Sequence, residues 1–497
     1  MTVGLNKASV FAVVEEATSG TYVEPSVGSE FLPLRPGNEV AYEPEELKSD
    51  ELLNDIGAAK SFVGKEKVSG KHDIYLKHSG VEGQAPQTSV LYESILGDKY
   101  VVPSEEVTAA SSTVNVIKVA DGTDFRQGQA LLIKKPSGYD IRNVASISGN
   151  DLNLNFSIGS APAAGVGLGK AIVYIPVAQG HPTFSTTKYL GNGFAKEVSA
   201  GNTVTEASFK LDAGTFGEVS FSFEGTKYFF NPITITATNK YLDFTDDSGT
   251  YAVSVEEKIY KTPIELSDAI EVALNASAST KTYTVSFSSV DGKFTIASSD
   301  AVTLSLLFAT GVNAANSICT KIGFTATNKT GSLSYTSNNA QSYVAPVAPV
   351  YDSGDSIIIK GSELFIGNQS DNICFCAQSV SLTISKTVED VDCICEESGV
   401  LEKIPTAREA TMEVVAVLKK HDVALLDALL KNEGISAMLN AGPKTGGNWV
   451  PGKCFSAYLQ KCTVSKYTTS GDSFIQVNVT LKGYVTTTDK DVYINFV

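Results

Sequence analysis

Val219-Ser220-Phe221-Ser222-Phe223-Glu224-Gly225 alternates apolar and polar side chains without a break. A strand sends successive side chains to opposite faces, so this period of two describes a strand with one buried and one wet face. Ser208-Phe209-Lys210-Leu211 has the same alternation upstream, and Gly214 and Gly217 bracket the turn between the runs. The pair reads as an antiparallel hairpin within the return strands of a sheet-based module at 178–235.

Composition agrees with that reading. The 497 residues are 42% hydrophobic and 19% charged, which predicts a folded chain long enough for several domains. Three Met and one Trp are few beside the Gly, Ser, Thr, Asn, Val, Tyr and Phe that favour strands joined by turns. The formal charge of −16 argues against clamping a phosphate backbone. It permits nucleic acid that must slide past without sticking. The opening residues lack the apolar core of a signal peptide, and no apolar run is long enough to span a bilayer. A soluble intracellular origin without membrane contact is expected. Seven cysteines, an odd number spread along the chain, fit reduced thiols better than a disulfide framework.

Working outward, residues 1–104 form a first module segment, with a strand at 5–14 and a loop at 28–36. An acidic, Leu-punctuated arm follows at 43–55, carrying Glu43, Glu45, Glu46, Asp50 and Glu51. A strand is expected at 67–76 and a short helix at 87–97, with Val90, Leu91 and Ile95 toward the core and Gly97 ending it. Residues 105–177 read as a small inserted β-barrel of short strands separated by Asp-Gly and Ser-Gly turns. Residues 236–330 read as an inserted α+β module. Its helix starts at the cap Thr262, with Pro263 in the first turn and Glu265 completing a capping box. A hairpin turned at Asp291-Gly292 follows. Thr-Ala-Thr-Asn-Lys occurs at 236–240 and 325–329, and twin boundary strands are expected there. Residues 331–354 read as a linker.

The last module, 355–497, is organised around Ala410-Thr411-Met412-Glu413-Val414-Val415-Ala416-Val417-Leu418, a long strand. A helix at 422–430 and closing strands at 455–465 and 473–484 follow. Residues 67–77 before 89–96 match 411–420 before 423–430, which points to a duplicated module. The competing account is that strand–helix–strand order recurs by chance in α+β proteins.

No chemistry-bearing constellation stands out. His72, His78, His181 and His421 are the only histidines, and none is spaced to imply a nucleophile, base and orienting group. Gly165-Val166-Gly167-Leu168-Gly169-Lys170 has the wrong spacing for a phosphate loop and leads into a strand. Cys374-Phe375-Cys376 and Cys393-Ile394-Cys395 could supply four thiolates, but structural zinc sites place two to four residues between paired cysteines. A Cys-x-Cys strand also turns both sulfurs to one face, as packed core thiols do. Asp246-Asp247 and Glu256-Glu257 read as solvated charges. The expectation is a non-enzyme with no catalytic residue, cofactor or metal ligand.

Val13-Val14-Glu15-Glu16-Ala17-Thr18-Ser19-Gly20-Thr21-Tyr22-Val23-Glu24-Pro25 resembles the opening of bacteriophage tail tube proteins, the major tail proteins of long-tailed phages. Residues 60–76, the unit at 105–177, Ala213-Gly214-Thr215-Phe216-Gly217-Glu218-Val219 and the run 406–484 are similar in style. Residues 236–330 depart from the plan and look like a decoration that protrudes outward. The resemblance implies a mainly β fold with short helices, in which β-sandwich or barrel tube modules join into a ring. Inner strands then form one barrel around a channel, and rings stack. With two modules per chain, three chains make a pseudo-hexameric ring; with one, six chains do. Three is the expectation.

On this reading Lys67, Ser69, Lys71, Asp73, Thr411 and Glu413 are lumen-strand candidates in an acidic channel. Glu43, Glu45, Glu46, Asp50 and Glu51 are candidates for an arm between rings. The implied partners are further copies of the chain, a tape-measure protein, baseplate and tail-terminator proteins, and double-stranded DNA in transient passage without sequence-specific binding. The implied location is the virion tail, assembled in the host cytoplasm. Another virion part (baseplate hub, decoration protein or fibre) and a cell-surface binding protein are the alternatives. A carbohydrate hydrolase would need paired carboxylates in an aromatic cleft.

Overall fold

The computed structural model describes residues 6–33, 35–49, 60–101, 112–135, 138–191, 193–299, 303–352, 354–369, 372–419, 434–471 and 474–497. The helix expected at 422–430, together with His421, Asp50 and Glu51, lies outside the described residues.

The alternating segments become strands of one large network. Its first half holds β1 (Val10–Glu15), β2 (Phe31–Leu32), β3 (Glu39–Tyr42), β4 (Val68–Tyr75), helix α1 (Ser89–Leu96), β5 (Gly97–Val101) and β6 (Ile172–Pro176). It continues through β7 (Phe184–Leu190), β8 (Ala195–Asp212), β9 (Glu218–Gly225) and β10 (Lys227–Phe230). The second half holds β11 (Glu363–Gly367), β12 (Asn372–Cys374), β13 (Cys376–Asp392) and β14 (Val400–Val417). It ends with β15 (Ile435–Ala441), β16 (Phe455–Ser470), β17 (Gln476–Gly483) and β18 (Tyr493–Phe496). These form one 18-stranded hydrogen-bonded sheet system.

Both halves are wired alike. β1 pairs with β2 and β7, β7 with β8, β8 with β9 and β10, and β9 with β4, which pairs with β3. In the same way β11 pairs with β12 and β15, β15 with β16, β16 with β17 and β18, and β17 with β14, which pairs with β13. The irregularities recur too. Register slips where Ser199 and Asn202 of β8 face β7, and where Leu459 and Cys462 of β16 face β15. A second slip follows at Val204/Glu206 against β9 and at Val464/Lys466 against β17. Bulges bend a strand and increase its twist, so β8 and β16 each leave one group of strands and enter another at matching points. In β8 the bend uses Gly201 at φ +64, where a Cβ would meet Thr226 Oγ1 at 2.2 Å.

The two segments matched in the sequence, 67–77 and 411–420, thus fall on β4 and the end of β14, which hold the same place in the wiring. Carried through the pairings, Ser69 corresponds to Thr411, Lys71 to Glu413, His72 to Val414 and Glu39 to Ser381.

A single core runs beneath both halves. Leu91, Tyr92, Ile95 and Leu96 of α1 are buried in it, and Gly97 at φ 105 ends the helix. Tyr92 packs against Phe209 and Phe221 of the first half and Phe496 of the second, with ring centroids 5.2–6.1 Å apart. Phe209 of β8 stacks on Phe455 of β16 at 5.5 Å. Each such side chain contributes about 1.5–3 kcal/mol by burial, so the halves stabilise one another.

Four expectations need correction. The inserted unit before β6 is an open five-stranded sheet with its own core, and no barrel closure is found among its described residues. Its end strands, Val116–Lys118 and Leu168–Gly169, are too short to close a cylinder. Residues 172–176 do not belong to it, because β6 lies between β18 and β5. Ile172, Val173 and Tyr174 are all buried, so this run is apolar on both faces and suits an interior strand. The second inserted unit reaches past 330, since Lys329–Ser332 and Ser334–Thr336 are strands of its sheets. Its helix α2 (Pro263–Asn275) starts as expected, with Glu265 N donating to Thr262 Oγ1 at 3.1 Å. The Thr-Ala-Thr-Asn-Lys twins are loop segments rather than strands, apart from Lys329, which opens the strand Lys329–Ser332. Thr236 and Thr238 share a hydroxyl bond, as do Thr325 and Thr327, each at 2.9 Å; such local bonding competes with ladder formation.

His72 carries a measurable cost. It is 1% exposed and stacked on Phe11 at 4.7 Å, and neither ring nitrogen has a hydrogen-bond partner. Burial pushes its pKa down from 6.5 to about 3. Between those values the unfolded chain holds the proton and the folded chain does not, so stability falls as pH drops from 6.5 toward 3. His72→Leu should raise stability at pH 7 by about 1–3 kcal/mol. It should also remove roughly 2 kcal/mol of the loss between pH 7 and pH 5. Urea unfolding at the two pH values checks both; an undiminished pH dependence in the variant assigns the loss elsewhere.

Candidate assembly interface

The halves meet where β8 pairs with β13, from Glu206 opposite Ser385 to Asp212 opposite Ser379. This joint creates a run of eight strands in the order β3–β4–β9–β8–β13–β14–β17–β16. One face of the run packs on the core through Phe209, Leu382, Met412 and Val414. The other face is polar. At the joint it presents Glu206, Ser208, Lys210 and Asp212 beside Ser379, Ser381, Thr383 and Ser385. Glu218, Glu224, Glu409 and Glu413 extend the acidic character, although Arg35 pairs with Glu218 at 2.8 Å, Lys403 with Glu224 at 3.1 Å and Lys482 with Glu409 at 2.7 Å, and Lys71 and Lys466 add further positive charge.

Most of the sequence-read lumen candidates lie on this polar face. Ser69, Lys71 and Asp73 alternate with core-facing neighbours along β4, and Lys71 Nζ is 3.2 Å from Asp73. Thr411 and Glu413 occupy the matching places on β14. Lys67 precedes β4, exposed, with its carbonyl accepting from Glu43 N at 2.8 Å.

The acidic arm, read as having little strand character, is a hairpin. Glu46–Lys48 pairs with Ser61–Val63, and Glu45 N donates to Lys65 O at 2.9 Å, so the hairpin prolongs β3 and β4 beyond the sheet. Glu43, Glu45 and Glu46 sit on it, all exposed. Leu47, Phe62 and Val63 are 50%, 55% and 69% exposed on the same stalk. Its counterpart is the long β13–β14 hairpin, whose end is seated on the first half. There Ser398 O accepts from Glu66 N at 3.0 Å, and ion pairs join Asp392 to Lys65 at 2.6 Å and Glu396 to Lys227 at 3.3 Å.

The two ends of the run are open. Among the described residues, no strand pairs with the far edge of β3 or with the far edge of β16 beyond Cys462. Sequence reading stopped the strand at 465 and so missed Lys466, Thr468 and Ser470. Thr463-Val464-Ser465-Lys466-Tyr467-Thr468-Thr469-Ser470 is rich in β-branched and aromatic residues, a signal that was available.

Other chemical candidates are dispersed or engaged. Cys374 and Cys376 stand at the start of β13 and Cys393 and Cys395 beyond its end. A 17-residue strand spans about 55 Å, so these thiols form no common site. Cys454 and Cys462 are buried, which pushes each thiol up to about 12. His181 has Nδ1 3.0 Å from the Ser94 carbonyl and Nε2 3.1 Å from the Val177 carbonyl, and the neutral ring that burial favours donates to one of them at a time. Asp246 accepts from Ser248, Ser279 and Tyr283. Among the described residues no group of three metal-ligating side chains comes together, and no helix is long and apolar enough to cross a membrane. No protein-family model matches the chain, and no curated protein matches it significantly.

A buried lysine fastens the joint. Lys386 of β13 is 4% exposed and donates to Thr203 Oγ1 of β8 at 2.8 Å and to Ser94 O of α1. Arg408 lies directly opposite on β14, held by Asp491 at 2.8 and 3.0 Å, and His181 adjoins through the shared Ser94 carbonyl. Burial, reinforced by Arg408, lowers the Lys386 pKa from 10.5 to about 7. The unfolded chain keeps this proton where the folded chain sheds it, so stability should rise as pH climbs from 7 toward 10. A gain of about 2 kcal/mol between pH 7 and 9 is expected, and Lys386→Met should flatten it. Parallel slopes in the two proteins, measured by denaturant unfolding, would remove Lys386 as the source.

Proposed function

We propose that the chain is a structural subunit of a bacteriophage tail tube. Three chains close into a pseudo-sixfold ring, and stacked rings enclose a channel that conducts double-stranded DNA. The observation that carries this reading is the repeat itself, with one joint used and its complement left open. β16 is the counterpart of β8, and β3 is the counterpart of β13. The β8–β13 joint is therefore a template for β16 of one chain pairing with β3 of the next. Transferring its register sets Lys466 opposite Glu43, Tyr467 opposite Tyr42, Thr468 opposite Ala41 and Ser470 opposite Glu39.

The physics favours closure. An unpaired edge is a template for further strands, and a head-to-tail contact consumes every edge only when it closes a ring. Side-chain parity agrees with the transferred register. Val40 and Tyr467 pack toward the core while Glu39, Lys466, Thr468 and Ser470 lie on the polar face. That face would line the channel, where its excess of carboxylates repels phosphate and leaves few binding wells along the path. The tape-measure, baseplate and tail-terminator proteins, and the virion tail as location, are the partners and place that follow from this role.

Ala41→Cys combined with Thr468→Cys tests it, with Cys374, Cys376, Cys393 and Cys395 changed to Ser. Oxidation should give a ladder ending at three chains on a non-reducing gel, and electron microscopy should find hollow rings or tubes. Termination at six would replace the three-chain ring by a six-chain one. Persistent monomers without cross-links would defeat the proposal.

A further inference from the structure

We propose that the cavity beside Lys386 binds a small, doubly charged oxyanion of the phosphate or sulfate class, seated in the seam between the two halves. The site lies within one chain and does not depend on the ring.

The cavity measures about 310 Å³, room for one such anion with a few waters. Val177 and His181, between β6 and β7, supply the first half's side of it. Lys386 of β13 and Arg408 of β14 supply the second half's side, and Lys490 and Asp491, just before β18, complete it.

Its charges do not balance. Asp491 is the one carboxylate on the wall, and Arg408 occupies both its oxygens, at 2.8 and 3.0 Å. Among the described residues neither Lys386 nor Lys490 has a carboxylate partner. Glu16 and Glu402 border the adjoining cavity instead, and Glu16 already accepts from Gly20 N, Gly201 N, Thr183 and Ser185. An ammonium that is 4% exposed is costly to charge without a counter-ion.

Unused donors stand at the same place. The Lys386 ammonium has three N–H groups, of which Ser94 O and Thr203 Oγ1 take two. Arg408 has five, of which Asp491 takes two and Val177 O, at 3.4 Å, a third. The remaining N–H groups, with the Lys490 ammonium, suit the several acceptor oxygens of a tetrahedral anion, and charge-assisted bonds of this kind are the strong ones. Such an anion supplies the counter-charge that the chain itself omits.

Occupancy is coupled to a proton. Facing the Lys386 head are Arg408 on β14, His181 between β6 and β7, and Lys490 and Asp491 before β18, while α1 and β8 offer the Ser94 carbonyl and the Thr203 hydroxyl. Burial and Arg408 lower the Lys386 pKa to about 7, so at pH 8 the empty site holds mostly the neutral amine. Burial and Lys386 push His181 down from 6.5, so it is neutral there too. A bound dianion favours the charged amine, and binding at pH 8 therefore takes up a proton.

Calorimetric titration of sodium sulfate into the full chain at pH 8 tests this, in two buffers of different ionisation enthalpy with ionic strength held by sodium chloride. The expected result is one saturable site with a Kd of about 1 mM or below. Up to one proton is taken up per anion. Lys490→Gln should weaken binding about three-fold with the proton uptake retained. Lys386→Met should weaken it at least about ten-fold and abolish the uptake. Absence of saturable heat in the native chain overturns the proposal. So does binding without proton uptake, or an affinity that neither variant changes, since either result places the anion elsewhere on the chain. If Lys386→Met fails to fold, Lys490→Gln and the proton count in the native chain decide.

Discussion

Backbone groups at a sheet edge must be paired, and that requirement organises this molecule. Long strands that bend at matching bulges, β8 and β16, serve two groups of strands each and leave no half able to satisfy all its edges alone. In the first half β8 finds β13. Among the described residues the second half repeats the wiring around β8 with β16, but no strand pairs with β16 as β13 pairs with β8. The edges left open among the described residues are thus the complements of the filled β8–β13 joint.

The joint is held by more than its ladder. The aromatic cluster around Tyr92 takes rings from both halves, and Lys386 reaches from β13 to α1 and β8. The five-stranded insertion crosses over as well. It leaves the first half yet rests on the second, where Asn495 Oδ1 accepts from Ala130 N at 2.9 Å and Asn440 Nδ2 donates to Ile141 O at 3.2 Å. These buried amides satisfy backbone groups of the inserted sheet, as Gln460 and Gln369 do for the carbonyls of Ala145 and Leu154. A desolvated lysine with no carboxylate is an expensive fastening, and its value lies in direction: it bonds correctly only when α1, β8 and β13 are together.

Strand identity was legible where one face is wet and the other dry. β9, the end of β14, α1 and α2 follow from periodicity and caps, because each obeys one dominant local rule. What stayed hidden was set by partners distant in sequence. β6 is apolar on both sides, so period gives no orientation, and its neighbours β5 and β18 are settled only by packing. The described part of the arm, 43–49, shows no alternation because its short strand is exposed on both faces. On the polar sheet face Ser69, Lys71, Asp73, Thr411 and Glu413 are the candidates that the tail-tube resemblance implies, whereas Lys466, Thr468 and Ser470 lie beyond a bulge that breaks the count of two.

In the proposed ring, two units in one chain would make half of the joints intramolecular, where the effective concentration of the partner strand is high and no assembly step is needed. The two kinds of joint can then diverge in chemistry. Inside the chain, Ser379, Ser381, Thr383 and Ser385 are enough on the polar side of β13, since β8 has no competitor. Between chains of the proposed ring, the edges would have to stay soluble while unpaired and then select one another. Charged residues on an edge serve the first need, and complementary charges serve the second. Lys466 on one edge and Glu39 and Glu43 near the other meet both requirements, with Tyr42 and Tyr467 adding aromatic area at the core side. The chemistry of the open edges thus differs from that of the filled joint in the direction that assembly after folding demands.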